Sequence, residues 1–179
     1  MIYFTSDTHF GHNNIIKYCN RPFSSVGEMD QILIDNINAV VKPDDVLWHL
    51  GDWAFRNHRK YRDRIVCKNI NLILGNHDRL NLEDHNGFSS VQEFKELKVE
   101  RQQIILCHYA LRVWNKSHRG SWHLYGHSHS TLPDLGNKSF DVGVDCWDYK
   151  PLSLKEVERE MNKRTFEAVD HHKENNNER

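Results

Sequence analysis

Five short apolar runs in this chain each end in a cluster of polar residues rich in His, Asp and Asn. The runs are typical of β-strands because they are short, apolar and followed at once by turn-forming residues. They cover residues 2–4, 46–50, 72–74, 104–106 and 124–125. The clusters that follow them are Asp7-Thr8-His9, Gly51-Asp52, Gly75-Asn76-His77-Asp78, Cys107-His108 and Gly126-His127-Ser128-His129. If these strands end at one rim of a sheet, the clusters meet there and form a single site.

The side chains of these clusters offer oxygen and nitrogen atoms as metal ligands. Carboxylate, amide and imidazole groups together are typical ligands of divalent transition ions, whereas sets of thiolates are typical of structural zinc. The four cysteines lie far apart in the chain and form no C-x-x-C pair. The sequence therefore predicts a mixed oxygen and nitrogen site for two divalent ions.

Taken in order from residue 7 to residue 129, the five clusters resemble the signature of the calcineurin-like metallophosphoesterases. That signature reads D-x-H, GD, GNH[DE], H and GHxH. One of these motifs alone carries little information, but five in the right order cover nearly the whole globular part of the chain. The resemblance implies a four-layer α/β/β/α sandwich of two mixed sheets with outer helices. It also implies a metal-dependent phosphoesterase of the compact bacterial or phage type.

The resemblance assigns seven residues to two metal ions. Asp52 would bridge both ions. The remaining ligands would be Asp7, His9 and His129 for the first ion and Asn76, His108 and His127 for the second. Carboxylates would compensate the charge, while imidazoles and the Asn carbonyl would leave the ions Lewis acidic. Mn²⁺ is the expected metal, with Fe, Ni or Zn as alternatives.

Two further residues of the motifs are expected to be catalytic. His77 follows the ligand Asn76 and cannot easily face the same ion, so the resemblance makes it the general acid. The resemblance implies that Asp78 keeps the His77 ring protonated or in one tautomer. The alternative is that His77 has only a structural role and caps its loop.

His12 and Arg56 are the candidate substrate-binding residues. His12 lies five residues after Asp7 in a loop that should border the site, so it would contact phosphate or else be a plain surface histidine. Arg56 lies four residues after Asp52 and opens a basic segment.

That basic segment, residues 56–68, carries six cations against one acid, a local balance of six minus one, or +5. It is predicted to be a helix. A cationic helix edge beside a metal site would attract a polyanion, and Trp53, Phe55 and Tyr61 could stack a base. The alternative is a solvated helix face. Among the other histidines, His49 and His123 are predicted to be structural. The alternative for His123 is a place behind the metal ligands. His58 is given no role.

The order of elements predicts one α/β domain, residues 1–169, and a charged tail, residues 170–179. In the first half, residues 11–23 are predicted to be a loop and residues 27–41 a helix that Ser24 or Ser25 caps. Strands and helices alternate in this half, which predicts parallel strands that are buried on both faces.

The second half of the chain is predicted to be built mainly of short strands. They would cover residues 91–94, 97–99, 103–106, 121–125 and 140–144 and pair in antiparallel fashion. A closing helix, residues 154–166, would be capped by Ser153 with Glu156 three residues later.

Composition sets the outer limits of the function. A formal net charge of -1 gives no global signal for nucleic acid or membrane binding. The chain has no apolar run of the length that spans a bilayer and no signal peptide, so a cytoplasmic location is expected, with the cysteines reduced and mainly buried. The oligomeric state is not predicted.

The combined prediction is a dimetal-dependent phosphoesterase that hydrolyses a phosphate ester by in-line attack of a metal-bridging hydroxide. A phosphodiester of a nucleotide or nucleic acid is the first choice of substrate. The alternatives are a phosphomonoesterase of small metabolites and a non-catalytic scaffold that binds proteins. Protein phosphatases of the superfamily carry GD-x-x-DRG, but this chain has Phe55 and Asn57 in place of the acid and the glycine, which argues against that activity.

Overall fold

The computed structural model describes residues 1–165 of the chain and contains two β-sheets. The first has the strand order β4-β3-β2-β1-β9 and the second the order β5-β6-β7-β8. The strands are β1 Ile2–Thr5, β2 Val46–His49, β3 Asn69–Ile73, β4 Ser90–Gln92, β5 Phe94–Val99, β6 Gln102–Cys107, β7 Trp122–Tyr125, β8 Ser139–Asp141 and β9 Leu152–Ser153. The predicted boundary at residue 169 and the predicted tail, residues 170–179, lie outside the described residues.

The first sheet has the predicted alternation of strands and helices. Strands β1 to β4 pair in parallel, and β9 adds an antiparallel edge beside β1. The helices between these strands are α1 Asn13–Tyr18, α2 Val26–Val40, α3 His58–Arg62 and α4 Leu82–His85. The parallel strands therefore send their carboxyl ends to one rim, as the sequence pattern requires.

The second sheet corrects the expectation of antiparallel pairing. Only β5 and β6 are antiparallel, whereas β6, β7 and β8 run parallel to one another. A parallel pair needs a long crossover, and residues 108–121 and 126–138 supply one each. The predicted strand 91–94 is divided between β4 and β5, and the predicted strand 140–144 ends at Asp141.

The two sheets pack on each other through one face and on other elements through the opposite face. Between the sheets, Phe4 and Trp48 of the first sheet meet Ile104, Leu124 and Phe140 of the second, all buried. The alternate residues of the first sheet, which include Tyr3, Leu47 and Leu72, pack against α2. The α2 residues in this cluster are Met29, Leu33 and Ile37. The outer face of the second sheet is covered by the connection 109–121, which includes a 3₁₀ helix, Ser117–Arg119. The predicted sandwich of two mixed sheets with helices is confirmed.

Three predicted helical or loop boundaries differ in the structure. The predicted loop 11–23 contains the short helix α1. The basic segment 56–68 is helical only from His58 to Arg62. The last helix, α5, spans Leu154–Asn162 and inserts Val157 and Met161 between the sheets, and Phe166 at the predicted end lies outside the described residues.

The predicted helix caps are present. Ser25 precedes α2, and its hydroxyl accepts a hydrogen bond from the backbone N–H of Glu28. Ser153 and Glu156 form a capping box at the start of α5. These bonds satisfy N–H groups that have no partner within the helix.

All four cysteines are free thiols, as predicted, but only Cys67 is buried, so the expectation of mainly buried cysteines is wrong. Within residues 1–165, no helix combines the length and the apolar character that crossing a bilayer requires.

Candidate metal centre

The five polar clusters lie together at the carboxyl ends of β1, β2, β3, β6 and β7. Backbone hydrogen bonds hold the loops side by side. The N–H of Asp7 donates to the carbonyl of Gly51 at 3.0 Å, and the N–H of Gly126 donates to the carbonyl of His108 at 2.9 Å. Between the two sheets, the N–H of His127 donates to Oδ2 of Asp7 at 3.0 Å, so the strand ends of both sheets meet at one rim.

Six of the seven predicted ligands fall into two groups of possible metal-binding atoms. Asp7, His9 and His129 form one group, and Asp52, His108 and His127 form the other. Within each group, the ligand atoms lie within 4.8 Å of one another. Asn76 joins the second group, because its Oδ1 lies 3.2 Å from Nε2 of His108.

The Asp52 carboxylate lies between the two groups. Its Oδ2 is 3.4 Å from Nε2 of His9 and 3.5 Å from Nε2 of His108. Its Oδ1 accepts a hydrogen bond from the backbone N–H of His77 at 2.9 Å. One oxygen of Asp52 thus faces both groups while the other fixes the orientation of the carboxylate.

The donor set fits divalent cations. Neither ring nitrogen of His9 has a hydrogen-bond partner within residues 1–165, although both atoms are buried. Unpartnered buried polar atoms are costly unless something binds them. Burial lowers the pKa of His9 to about 2, so its ring is neutral and able to ligate. Burial also raises the pKa of Asp7 to about 7, and a bound cation would offset the cost of its charge.

The second group contains a histidine whose tautomer is fixed by the backbone. Nδ1 of His108 lies 2.8 Å from the carbonyl oxygen of Leu50. A carbonyl can only accept, so Nδ1 carries a proton and Nε2 is the ring nitrogen that faces Asn76 and Asp52. The ring is therefore already oriented as a ligand.

Five of the seven predicted ligands have backbone conformations that side chains rarely adopt. Their φ angles are 58° at Asp7, 49° at His9, 55° at Asp52, 68° at His127 and 45° at His129. Left-handed conformations of residues other than glycine are uncommon and collect at functional sites. The turns direct the side chains inward at a cost that the rest of the fold must offset.

Glycines beside the ligands allow the loops to approach closely. A Cβ on Gly75 would overlap the Asp52 side chain and backbone, and a Cβ on Gly126 would overlap Ser6 and the Asp7 carboxylate. The glycine of the GNHD motif and that of the GHSH motif are thus needed for space.

His77 lies at the exposed mouth of the site. Its ring centroid is 5.3 Å from that of His9 and 6.0 Å from that of His12. Its backbone is tied to Asp52, but the ring stays accessible to a substrate. This position suits a group that acts on the substrate.

Asp78 does not have the surroundings that the resemblance implied. Its side chain is fully buried, and its oxygens accept hydrogen bonds from the backbone N–H groups of Asp52, Trp53 and Gly75 at 2.7, 2.9 and 2.9 Å. The expectation that Asp78 holds the His77 ring is therefore corrected. Asp78 instead fixes the loop that carries Asp52.

His58, to which the sequence analysis gives no role, contacts a residue of the site. His58 is buried, and its Nε2 lies 3.5 Å from Oδ1 of Asp78. It packs behind the metal ligands. Two other residues that sequence reasoning missed, Arg21 and Asp145, form an ion pair with Nη2 to Oδ2 at 2.8 Å next to His129. A pair separated by 124 positions leaves no local signal in the sequence.

The two candidate substrate-binding residues lie in one stack at the edge of the site. His12 lies 5.5 Å from the His9 ring, and its own ring stacks on Phe55 at 4.7 Å with an interplanar angle of 10°. The guanidinium carbon of Arg56 lies 5.5 Å from the centre of the Phe55 ring. Phe55 and Arg56 are exposed.

The rest of the basic segment is engaged elsewhere. Arg59 pairs with Asp63, and Arg62 donates to the carbonyls of Gly87, Ile65 and Lys68. Within this segment, Arg59 and Arg62 thus have partners in the protein, and Arg56 precedes the helix. Trp53 and Tyr61 are buried in the core, so of the three aromatic residues predicted to stack a base only Phe55 is exposed.

His49 and His123 are structural, as predicted. Nε2 of His49 donates to the hydroxyl of Thr8 at 3.0 Å. Nε2 of His123 accepts from the N–H of Leu111 at 3.0 Å, and Nδ1 lies 3.0 Å from the carbonyl of Ile105. Burial lowers the pKa of each to about 4, so both rings are neutral.

Two mixed sheets that carry adjoining carboxylate and imidazole groups at their strand ends define the class of metal-dependent phosphoesterases. The chain belongs to the calcineurin-like phosphoesterase superfamily, whose domain model matches residues 1–139. Membership of this superfamily implies hydrolase activity and divalent metal binding.

Three similar proteins extend over most of the chain. An uncharacterized protein of Methanocaldococcus jannaschii is 35% identical over 163 residues, which cover 86% of this chain and 86% of that protein. The Gene 66 protein of a Mycobacterium phage is 26% identical over 182 residues, covering 81% and 86%. The crystal structure of a protein of unknown function from Aquifex aeolicus has a TM-score of 0.73 at 26% identity and covers 89% of this chain and 98% of that chain.

Proposed function

We propose that this chain is a dimetal-dependent phosphodiesterase that acts on a nucleotide or nucleic acid. The observation that carries the proposal is the Asp52 carboxylate, whose Oδ2 lies 3.4 Å from His9 and 3.5 Å from His108. A carboxylate in that position can serve two ions at once. Two ions held there would supply Lewis acidity and charge neutralisation at a phosphate.

The residues at the mouth of the site would donate a proton and bind the phosphate. His77 presents an accessible ring and would donate a proton to the leaving oxygen. His12 and Arg56, which both contact the Phe55 ring at the edge of the site, would bind the other phosphate oxygens. The metal ligands Asp7, Asp52 and His108 are buried and keep fixed positions.

Two exposed aromatic rings favour a diester with planar substituents. Phe55 is 44% exposed and lies next to His12 on the side of the first ligand group. Tyr109 is 46% exposed, and its ring lies 5.0 Å from that of His108 and 4.9 Å from that of His127 in the second group. The Tyr109 ring offers a surface on which a base can stack, and the Phe55 ring, which already stacks on His12, leaves part of its apolar surface exposed for contact. Mn²⁺ as the metal and the cytoplasm as the location stay predictions.

A comparison of a diester with its monoester tests the proposed substrate class. We expect the Mn²⁺-loaded protein to hydrolyse bis(4-nitrophenyl) phosphate with a kcat/KM above that for 4-nitrophenyl phosphate. One extra group that fits a pocket stabilises the transition state by about 1 to 3 kcal/mol. The kcat/KM for the diester should therefore exceed that for the monoester by a factor of about 10 or more. Preference for the monoester would reject the diesterase and support the small-metabolite phosphomonoesterase. Hydrolysis of neither ester would support the scaffold.

A variant of Arg56 tests the proposed contact between this residue and the substrate. Arg56→Ala should raise KM for a dinucleotide and for the small diester, because both present the same phosphate oxygens. Arg59→Ala is the matched change, because Arg59 lies on the same segment but pairs with Asp63. Equal effects of the two changes would argue against a contact between Arg56 and the substrate.

A further inference from the structure

An arginine and an aspartate outside the five motifs form a buried pair next to the metal centre. Arg21 follows α1, and Asp145 lies in the 3₁₀ helix Val144–Cys146. Their side chains are 0% and 6% exposed. Nε of Arg21 donates to Oδ1 of Asp145 at 2.8 Å, and Nη2 donates to Oδ2 at 2.8 Å. Such bidentate contact holds both groups in a single geometry.

Asp145 contacts one of the proposed metal ligands directly. Its Oδ2 lies 2.7 Å from Nδ1 of the His129 ring. An ionised carboxylate can only accept, so Nδ1 carries a proton and Nε2 is the ring nitrogen left for a metal ion. The carboxylate thus selects the tautomer and the orientation in which His129 can ligate.

Arg21 holds the loop that carries two other ligands of the same ion. Its Nη2 donates to the carbonyl of Asp7 at 2.7 Å, and its Nη1 donates to the carbonyl of Thr8 at 3.2 Å. Nη1 also lies 3.4 Å from the sulfur of Met29. With these contacts, all five N–H donors of the guanidinium are used. The loop they hold is strained, since φ is 58° at Asp7 and 49° at His9.

We propose that Arg21 and Asp145 are positioning residues for the ion held by Asp7, His9 and His129. The pair links the first motif to the last, so both loops keep the geometry that this ion requires. In the other ligand group, His108 is oriented by a different partner, the carbonyl of Leu50. The inference rests on the proposed function because it requires two bound ions. It does not depend on the identity of the substrate.

Calorimetric titration of the chelated, full-length protein with Mn²⁺ tests the pair without any substrate. Loss of an outer partner of a metal-binding histidine lowers metal affinity by about 10- to 100-fold. We expect Asp145→Asn to weaken one class of Mn²⁺ site by that factor and to leave the other class unchanged. The weakened class should be the one that His9→Ala removes. Equal weakening of both classes would overturn the proposal in favour of a general structural role.

Asp145→Asn leaves Arg21 buried without its partner, so a second variant guards against a loss of folding. The double change Arg21→Leu with Asp145→Leu removes both charges together, which a buried site often tolerates. It should still unfold in one cooperative thermal transition and lose affinity at the same class of site. Two Mn²⁺ sites of wild-type affinity in this double variant would overturn the proposal.

Asp134→Asn is the matched control. Asp134 forms a bidentate ion pair with Arg164 at 2.6 and 2.7 Å, but the Asp134 side chain is 58% exposed. Both Mn²⁺ sites should remain intact in this variant. A protein that binds two ions with the expected variant pattern but hydrolyses no ester would reject the proposed function and leave this inference standing. A wild-type protein that binds no Mn²⁺ would overturn both.

Discussion

Asp52→Asn is expected to abolish nearly all turnover and to lower the metal content below two ions per chain. The amide oxygen can still accept the hydrogen bond from the N–H of His77, which now goes to Oδ1. The amide nitrogen, however, cannot replace Oδ2, the atom that faces both His9 and His108. The substitution therefore removes the bridge with little change of shape. Metal analysis of the purified variant, together with its rate on the small diester, measures the effect.

Asp44→Asn is the control for this change. Asp44 precedes β2, whereas Asp52 follows it, and the Asp44 side chain is 89% exposed with a surface ion pair to Lys68. Its loss should alter neither metal content nor rate. His58 would be an unsuitable control because it packs against Asp78 behind the ligands. An Asp52→Asn protein with two ions and full activity would rule out the bridge.

His77→Ala is expected to keep both ions and to lower the maximal rate. Loss of a general acid costs about 100- to 10,000-fold when the leaving group is poor. The loss should shrink for a nitrophenyl ester, whose leaving group needs little protonation, and be larger for an alkyl ester. Steady-state rates on the two esters measure this dependence.

His85→Ala provides the reference for the His77 variant, since His85 is an exposed histidine at the end of α4. It should behave as the wild type on both esters. Equal losses on the alkyl and nitrophenyl esters in His77→Ala would favour a role in holding phosphate over a role as acid.

The position of the site was predictable from the sequence because it follows from strand direction. Parallel strands end at one rim, so polar residues directly after β1, β2 and β3 must lie close together. The same reasoning placed His108 and His127 after strands of the second sheet, although the pairing of those strands was predicted wrongly. The direction of a strand depends on how its crossover packs, and short apolar runs do not encode that.

The contacts around the ligands were not predictable in the same way. Asp78 adjoins His77 in sequence, yet its carboxylate accepts from backbone N–H groups near Asp52, since buried donors need acceptors. Arg62 looked like a free cation, but backbone carbonyls use its donors. Arg21 and Asp145 meet only after the whole domain has folded. Each of these contacts depends on long-range packing that no local pattern reports.

Titration of the chelated protein with Mn²⁺, with metal binding and hydrolysis of bis(4-nitrophenyl) phosphate followed together, tests the dimetal assignment most directly. We predict two ions bound per chain and a rate that rises only as the second ion binds, because the ligands of both groups enclose the Asp52 carboxylate. A full rate with one ion per chain would contradict the assignment. Two bound ions without hydrolysis of any phosphate ester would contradict the proposed phosphodiesterase activity.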